Sequence, residues 1–320
     1  MAAPAAGTPD LGPVFEGERS FLWAVSYRLT GSASDADDVV QEAFVRALER
    51  PPADRERPWR PWLLRVALNV GRDLLRRRRR RRYDGPWLPE LVATGEEASP
   101  PSFVPREDGP GARYDRLESV SLAFLLALEA LTPAQRAVLL LRDVFDYSVR
   151  EAGEALDLTE ANVKTTHLRA RRAMERYDHA RCIPTPPVQA RAAETLQRFL
   201  ICLAAHDVAG VESMLAEDVR ALSDGGGEFH AARRVILGAD RVTRFFVGLT
   251  TRMGATPLVE TLSVNGLPAV QLVFPPRTDG YATRVVIQLR VDDRGRVDSV
   301  YLVLSTPKLA ALAGPPPPLA

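Results

Sequence analysis

Asn162, Thr165, Arg169, Arg172 and Arg176 recur at intervals of three and four residues, which places them on one face of a helix. Polar residues near the start of such a helix reach base edges, and arginines further along neutralise phosphates. A solvated cationic helix would carry the same pattern, so the surrounding elements have to decide. A second cationic feature, Arg76 to Arg82, is seven consecutive arginines and suits any polyanion. Trp59 and Trp62 stand ahead of this run, and aromatic rings beside cations suit single-stranded as well as duplex DNA. Trp62 also reads as a core residue.

The stretch SDGGGE, Ser223 to Glu228, offers a phosphate cradle, a metal loop or a turn. It lacks the Gly-Lys-Ser/Thr ending of a phosphate loop and opens no helix. Strand-like DVRAL before it and FHAARRVIL after it predict a hairpin turn. Three glycines exceed what a two-residue turn needs, so another backbone is expected close by. Acid–base chemistry would draw on His206, Asp207, Asp218, His230 and Asp240, two of them facing one apolar cavity. His206-Asp207 reads instead as a helix cap and turn, and His230 as an exposed strand residue. The expectation is no catalysis, with ligand sensing left open. Cys182, Cys202 and four scattered histidines make no metal-ligand spacing, so neither metal nor cofactor is expected. The two thiols read as reduced, in a cytoplasmic protein.

At 320 residues the chain has room for two or three domains. It has no apolar run near the ~20 residues of a membrane span, and MAAPAAGTPDLGP is not a signal peptide. The net charge of +1 hides a segregation: residues 84–115 hold seven acids (Asp84, Glu90, Glu96, Glu97, Glu107, Asp108, Asp115) against two arginines. That segment, with six prolines, is a linker in which WLPELV, Trp87 to Val92, is apolar enough to dock on something.

The elements that must position these residues are mostly helical. In SDADDVVQEAFVRALER the residues Val40, Ala43, Phe44, Ala47 and Leu48 predict the buried face, and Asp37, Asp38, Gln41, Glu42 and Glu49 the outer one. Ser34 is the expected N-cap, Pro51-Pro52 the stop, and a second helix begins near Pro61. TPAQ from Thr132 and SVRE from Ser148 are capping boxes. The second opens a short helix to Leu156; after a three-residue turn Thr159 caps a helix through Met174, with Val163, Ala170, Met174 and Tyr177 inward. That is a helix-turn-helix. Helices at Ala190–Ala205 and Val208–Leu215 then precede strands, with an Asn265-Gly266 hairpin and two strands around Arg294-Gly295, an α+β plan.

DADDVVQEAFVRAL followed by RPWLLRVALNVGRDLLRRRRR resembles region 2 of extracytoplasmic-function RNA polymerase sigma factors, and LTPAQRAVLLLRDVFDYSVREAGEALDLTEANVKTTHLRARRAM resembles their region 4. Asp157 stands where the turn usually has glycine, and His167-Leu168 reverses the common order. The last block resembles the SnoaL-like (NTF2-like) cone-shaped domain of a sigma J-like subgroup, with WLPEL, DGGGE and STPKL at the subgroup's three motifs and Glu228 at a lysine position. The resemblance implies two all-α domains, a region 2 bundle and a region 4 helix-turn-helix, plus that α+β domain. The expected division is a flexible 1–14, region 2 over 15–83, linker 84–115, region 4 over 116–181, SnoaL-like 188–310 and a Pro-rich tail 311–320.

It further implies a factor that joins core RNA polymerase, at the β′ clamp and β flap, and directs initiation on promoter DNA. Asp37, Asp38, Gln41 and Glu42 would face the clamp. Pro51 to Arg80, with Trp59, Arg60, Asn69, Arg72 and Arg76, would capture and melt the minus-ten element, the loop PPADRERPWR receiving an extruded base. Asn162, Thr165, Arg169, Arg172 and Arg176 would read minus-thirty-five. Trp87, Leu88, Pro89, Glu90, Asp224, Gly225, Gly226, Gly227, Pro307, Lys308 and Leu309 would let the last domain control the factor in cis. The alternative is a helix-turn-helix regulator whose last domain binds a small molecule.

Overall fold

The structure, a computed structural model, describes residues 11–80, 83, 85–94 and 112–312. Much of the acidic linker, including Asp84, Glu96, Glu97, Glu107 and Asp108, lies outside them, as do Arg81 and Arg82 and the side chains of residues 79 and 80. The chain forms two compact units, and these do not follow the sequence blocks: one takes residues 1–81, 100–116 and 128–175, the other 82–99, 117–127 and 176–320.

In the first unit α1 (Gly12–Thr30), α2 (Ala33–Glu49) and α3 (Arg60–Arg80) pack on one another. α1 stops at Gly31, whose φ of 69° turns the chain, and Ser32 caps α2 by accepting from the Asp35 N–H at 3.0 Å. The cap is therefore Ser32, not Ser34, because the turn at Gly31 starts the helix earlier. The buried stripe of α2 is Ala36, Val39, Val40, Ala43, Phe44 and Ala47, while Leu48, expected inside, lies on its edge in the last turn and is 49% exposed. Gly71 lets α3 approach α1: a Cβ there would sit 2.6 Å from Leu29 Cδ2.

Chain order continues with α4 (Leu122–Leu128), α5 (Pro133–Leu139), a π-helical turn (Leu140–Val144), α6 (Val149–Leu156) and α7 (Glu160–Asp178). Both capping boxes form, at Thr132/Gln135 and Ser148/Glu151. Asp157 takes the left-handed turn at φ 56°, a conformation aspartate tolerates, which accounts for the missing glycine. Arg136 is 2% exposed and donates to the carbonyls of Leu29 and Leu128 and to Glu129. Arg78 binds the same Glu129 at 2.9 Å and the Thr30 carbonyl at 2.7 Å. Arg65 donates to the Glu154 carbonyl at 2.5 Å, tying α3 to α6.

The second unit is built on a sheet of β1 (Leu215–Asp224), β2 (Ile236–Leu237), β3 (Leu258–Val264), β4 (Leu267–Val273), β5 (Arg284–Val291) and β6 (Val297–Val303), in the order β2-β1-β6-β5-β4-β3. β1 runs parallel to β6 and the other pairings are antiparallel. Asn265 and Gly266, at φ 52° and 81°, make the tight turn between β3 and β4. α8 (Pro186–Ala204), α9 (Val208–Met214) and α10 (Ala239–Met253) bury Leu196, Phe199, Val242 and Phe246 against one face, on Val219, Ala221, Ile287 and Leu302. The opposite face carries Leu88, Leu91, Leu122, Val286, Tyr301, Val303 and Leu309.

FHAARRVIL supplies the second arm of a hairpin only at its end. Only Ile236 and Leu237 pair, with Ala221 and Arg220. The preceding residues form turns and loop: Gly226 and Gly227 take φ 62° and 78°, and the His230 N–H is held by the Gly280 carbonyl instead of a β1 partner.

Candidate functional site

α7 presents the five residues singled out by their spacing. Asn162, Thr165, Arg169, Arg172 and Arg176 are all exposed, while Val163, Ala170 and Met174 are fully buried. Thr159 accepts from the Asn162 N–H at 3.3 Å, and the Thr165 hydroxyl donates to the Ala161 carbonyl. Tyr177 belongs to the second unit, where its hydroxyl donates to Glu118 at 2.9 Å; burial pushes that phenol far up. On the inner side His167 and Arg171 grip Asp143, with Arg171 Nη2 at 2.8 Å, Arg171 Nε at 3.1 Å and His167 Nε2 at 2.9 Å. Burial alone would raise the Asp143 carboxyl, but the bonds from His167 and Arg171 outweigh it and hold it below its ordinary value. Arg171 is thereby spoken for, which separates it from its exposed neighbours.

On α3, Asn69, Arg72 and Arg76 make one stripe, the first and last exposed and Arg72 half-buried. Burial, then neighbouring Arg76, lowers the Arg72 pKa, and Arg76 is paired with Asp73 at 2.6 Å. Arg60 faces the other way. It binds Glu18 at 2.6 Å and lies 4.8 Å above the Phe21 ring, a fold contact and not a companion of the stripe. Trp59 and Trp62 meet edge to face at 6.4 Å, both half-buried.

On α2, Asp37, Asp38 and Gln41 are exposed, and Glu42 pairs with Arg46 at 2.7 Å. Asp37 also accepts from Trp23 Nε1 at 3.0 Å. Exposed Val45 and Leu48 extend the Asp38–Gln41 stripe, so the outer face is part acidic and part apolar.

In the second unit the three motif segments meet at Asp224. Its Oδ2 accepts from the Leu88 N–H and from Lys308 Nζ, each at 2.6 Å, and its Oδ1 from the Tyr83 hydroxyl at 2.5 Å and the Gly226 N–H at 3.0 Å. Lys308 Nζ also donates to the Leu88 carbonyl at 2.6 Å and lies 4.7 Å and 4.8 Å from the Tyr83 and Trp87 rings. Pro89 and Glu90 are buried. Val92 and Thr94 continue along the β3–β4 turn: the Val92 N–H donates to Asn265 Oδ1, and the Thr94 N–H to the Ser263 carbonyl. A Cβ at Gly225 would meet the Phe229 carbonyl at 2.6 Å and one at Gly226 the Ser305 hydroxyl at 2.3 Å, whereas Gly227 has open space. Glu228, at the lysine position, accepts from Ser305 at 3.3 Å. Leu309 is buried and Pro307 exposed.

Residues 14–81 match the Sigma-70 region 2 family and residues 121–174 the Sigma-70 region 4 family. The ECF RNA polymerase sigma factor SigJ of Mycobacterium tuberculosis is 36% identical over 276 residues, 83% of this chain and 82% of its own. The chain belongs to the ECF RNA polymerase sigma factors. SigG of the same organism is 31% identical over 71% of this chain and 65% of its own. The crystal structure of the M. tuberculosis extracytoplasmic function sigma factor SigJ superposes with a TM-score of 0.69 at 31% identity, covering 94% of this chain and 98% of that one.

The sigma factor's region 2 match takes in α1 to α3 and its region 4 match runs from α4 into α7. Beyond these it carries the α+β domain. No helix among the described residues is long and apolar enough to cross a membrane. Sequence reasoning missed the Asp143–His167–Arg171 cluster and Asn265. His167 ahead of Leu168 was the one signal for the first, and Asn265 read only as a turn residue.

Proposed function

We propose that this sigma factor joins core RNA polymerase through the Asp38–Leu48 side of α2 at the β′ clamp, with region 4 at the β flap. The α3 stripe and the preceding loop take the minus-ten element, α7 reads minus-thirty-five, and the α+β domain controls initiation in cis by holding the linker. The work is non-catalytic and takes place in the cytoplasm.

Distance supports a closed resting state. Elements centred about 25 base pairs apart lie about 85 Å apart along a duplex at about 3.4 Å per pair. A compact unit of about 150 residues has a radius of gyration of about 15 Å. α3 and residues 160–175 of α7, all in the first unit, cannot span that distance until the Arg65–Glu154 and Arg78–Glu129 contacts part.

The observation that carries the regulatory reading is the Asp224 clasp, because it ties the chain between the two promoter-reading regions to the α+β domain by side chains that region 2 and region 4 do not need. Run-off transcription with core polymerase tests it, comparing the full chain, Lys308→Met, and chains ending near Pro187 and near Lys308. Output that changes when the clasp is broken is expected. Equal output from all would remove the regulatory role, and none at any promoter would remove the initiation role.

A further inference from the structure

A cavity of ≈ 1110 Å³ lies within the second unit, between α8, α10 and the sheet. This is slightly larger than the range of about 300–1,000 Å³ usual for small-molecule sites. Its depth is apolar, with Phe245, Phe246, Leu249, Phe274, Ile287 and Leu302 in the wall. Its charged residues are all cationic or imidazole: Arg241, Arg244, Arg252, His206 and His230 line it, and no carboxylate does among the described residues. Arg244 is paired with Asp240, whereas Arg241 and Arg252 are exposed and have no ion-pair partner among the described residues. A hydrocarbon interior with an arginine mouth fits a large apolar body ending in an anion.

One buried polar group points the same way. Ser223 is 3% exposed and lines the cavity, and its hydroxyl has no hydrogen-bond partner among the described residues. Buried hydroxyls are nearly always bonded, so an orphan on a cavity wall marks a contact that a ligand would complete. We propose that this cavity binds an apolar organic acid, its body among the aromatic and aliphatic wall residues, its carboxylate at the arginine mouth, and Ser223 bonding a polar atom further in. The absence of a lining carboxylate favours binding over acid–base turnover, which needs a second titrating partner facing the imidazoles.

The site is also placed to be felt at the clasp. Successive strand residues face opposite sides of a sheet. Val219, Ala221 and Ser223 of β1 face the helices and the cavity, whereas Leu222 and Asp224 face the linker. β6 repeats the division, with Leu302 on the cavity and Val303 under Leu88 and Leu91. Filling the cavity at Ser223 therefore acts on the residue beside the one that holds the Leu88 N–H. This consequence rests on the regulatory reading above; the binding itself does not.

The test uses the full chain, with 1-anilinonaphthalene-8-sulfonate as reporter and oleic acid and a fused-ring aromatic carboxylic acid as competitors. Displacement by at least one acid, and at least tenfold weaker displacement by its alcohol or methyl ester, is expected. Gly248 lines the cavity, and a Cβ added there has nothing within 4 Å among the described residues, so Gly248→Phe starts from an open wall position and should cut affinity at least tenfold at unchanged melting temperature. The double variant Arg241→Gln, Arg252→Gln should erase the preference for acid over alcohol. Equal affinity for the neutral analogue, indifference to Gly248→Phe, or no displacement by either acid would overturn the site. Hydrogen exchange at the Leu88 amide, read without polymerase, should change on acid binding. Binding with unaltered exchange would overturn the coupling alone.

Discussion

Lys308 and Asp224 are 84 residues apart in sequence and 2.6 Å apart in space, with side chains 9% and 0% exposed. Their partners are chiefly linker groups, so the pair fastens the linker to the domain. Losing one member strands a buried charge, at a cost of about 3–5 kcal/mol. Lys308→Met should accelerate proteolytic cleavage between residues 83 and 94, and the double variant Lys308→Met, Asp224→Leu should restore part of the lost melting temperature. Cleavage at the wild-type rate in the single variant would mean that the apolar contacts hold the linker alone.

Asp143 predicts a pH dependence. Its folded pKa is depressed below 3.8 by His167 and Arg171 against the opposing effect of burial. Its stabilisation is thus fully present above the unfolded value near 3.8 and is lost as pH falls through the lower folded value. Asp143→Asn should cost about 1–3 kcal/mol at pH 7. In urea denaturation the gap between variant and wild type should narrow below about pH 4. A gap constant down to pH 2 would contradict the assignment.

For α7, phosphate and base contacts separate by salt. Arg169→Ala or Arg172→Ala should weaken binding to every duplex and lower the slope of log affinity against log salt by about 1. Asn162→Ala should leave the slope alone and cut discrimination between promoter and random duplex, by about 1–3 kcal/mol. Fluorescence anisotropy across a salt series separates the two, and an unchanged slope for both arginine variants would mark α7 as a solvated face.

The glycines after Asp224 make unequal demands. Gly226→Val meets the Ser305 hydroxyl at a φ of 62°, so it should disturb both the loop and the segment leading to Lys308. Gly227→Ala meets nothing and should cost only the left-handed backbone, about 1–2 kcal/mol. Transcription and melting temperature of the two variants, side by side, check the ordering.

What was legible in the sequence was local. Capping boxes place Thr132 and Ser148 because donor and acceptor lie within four residues. The face of α7 follows from spacing alone. Leu48 and FHAARRVIL were misjudged because their surroundings come from elsewhere: the end of the buried stripe and the Gly280 carbonyl. The pairing of Arg60 with Glu18, forty-two residues away, was equally invisible to spacing. WLPELV announced that it docks, through an apolar composition a solvated linker does not need. What receives it spans Asp224, Asn265 and Lys308, which no periodicity connects.

The parallel pairing of β1 with β6 has a consequence in time. β6 lies between β1 and β5, so the middle of the sheet is synthesised last, and Lys308 follows it. Long-range parallel pairing is slow, and chains emerge at about 5–20 residues per second. The helical unit is complete at Glu175, roughly seven to twenty-seven seconds of translation before Lys308 exists. For that interval each newborn molecule carries α3 and most of α7 without a finished Asp224–Lys308 clasp. If the clasp restrains the factor as proposed, a polymerase that captures the chain in that interval meets it unrestrained.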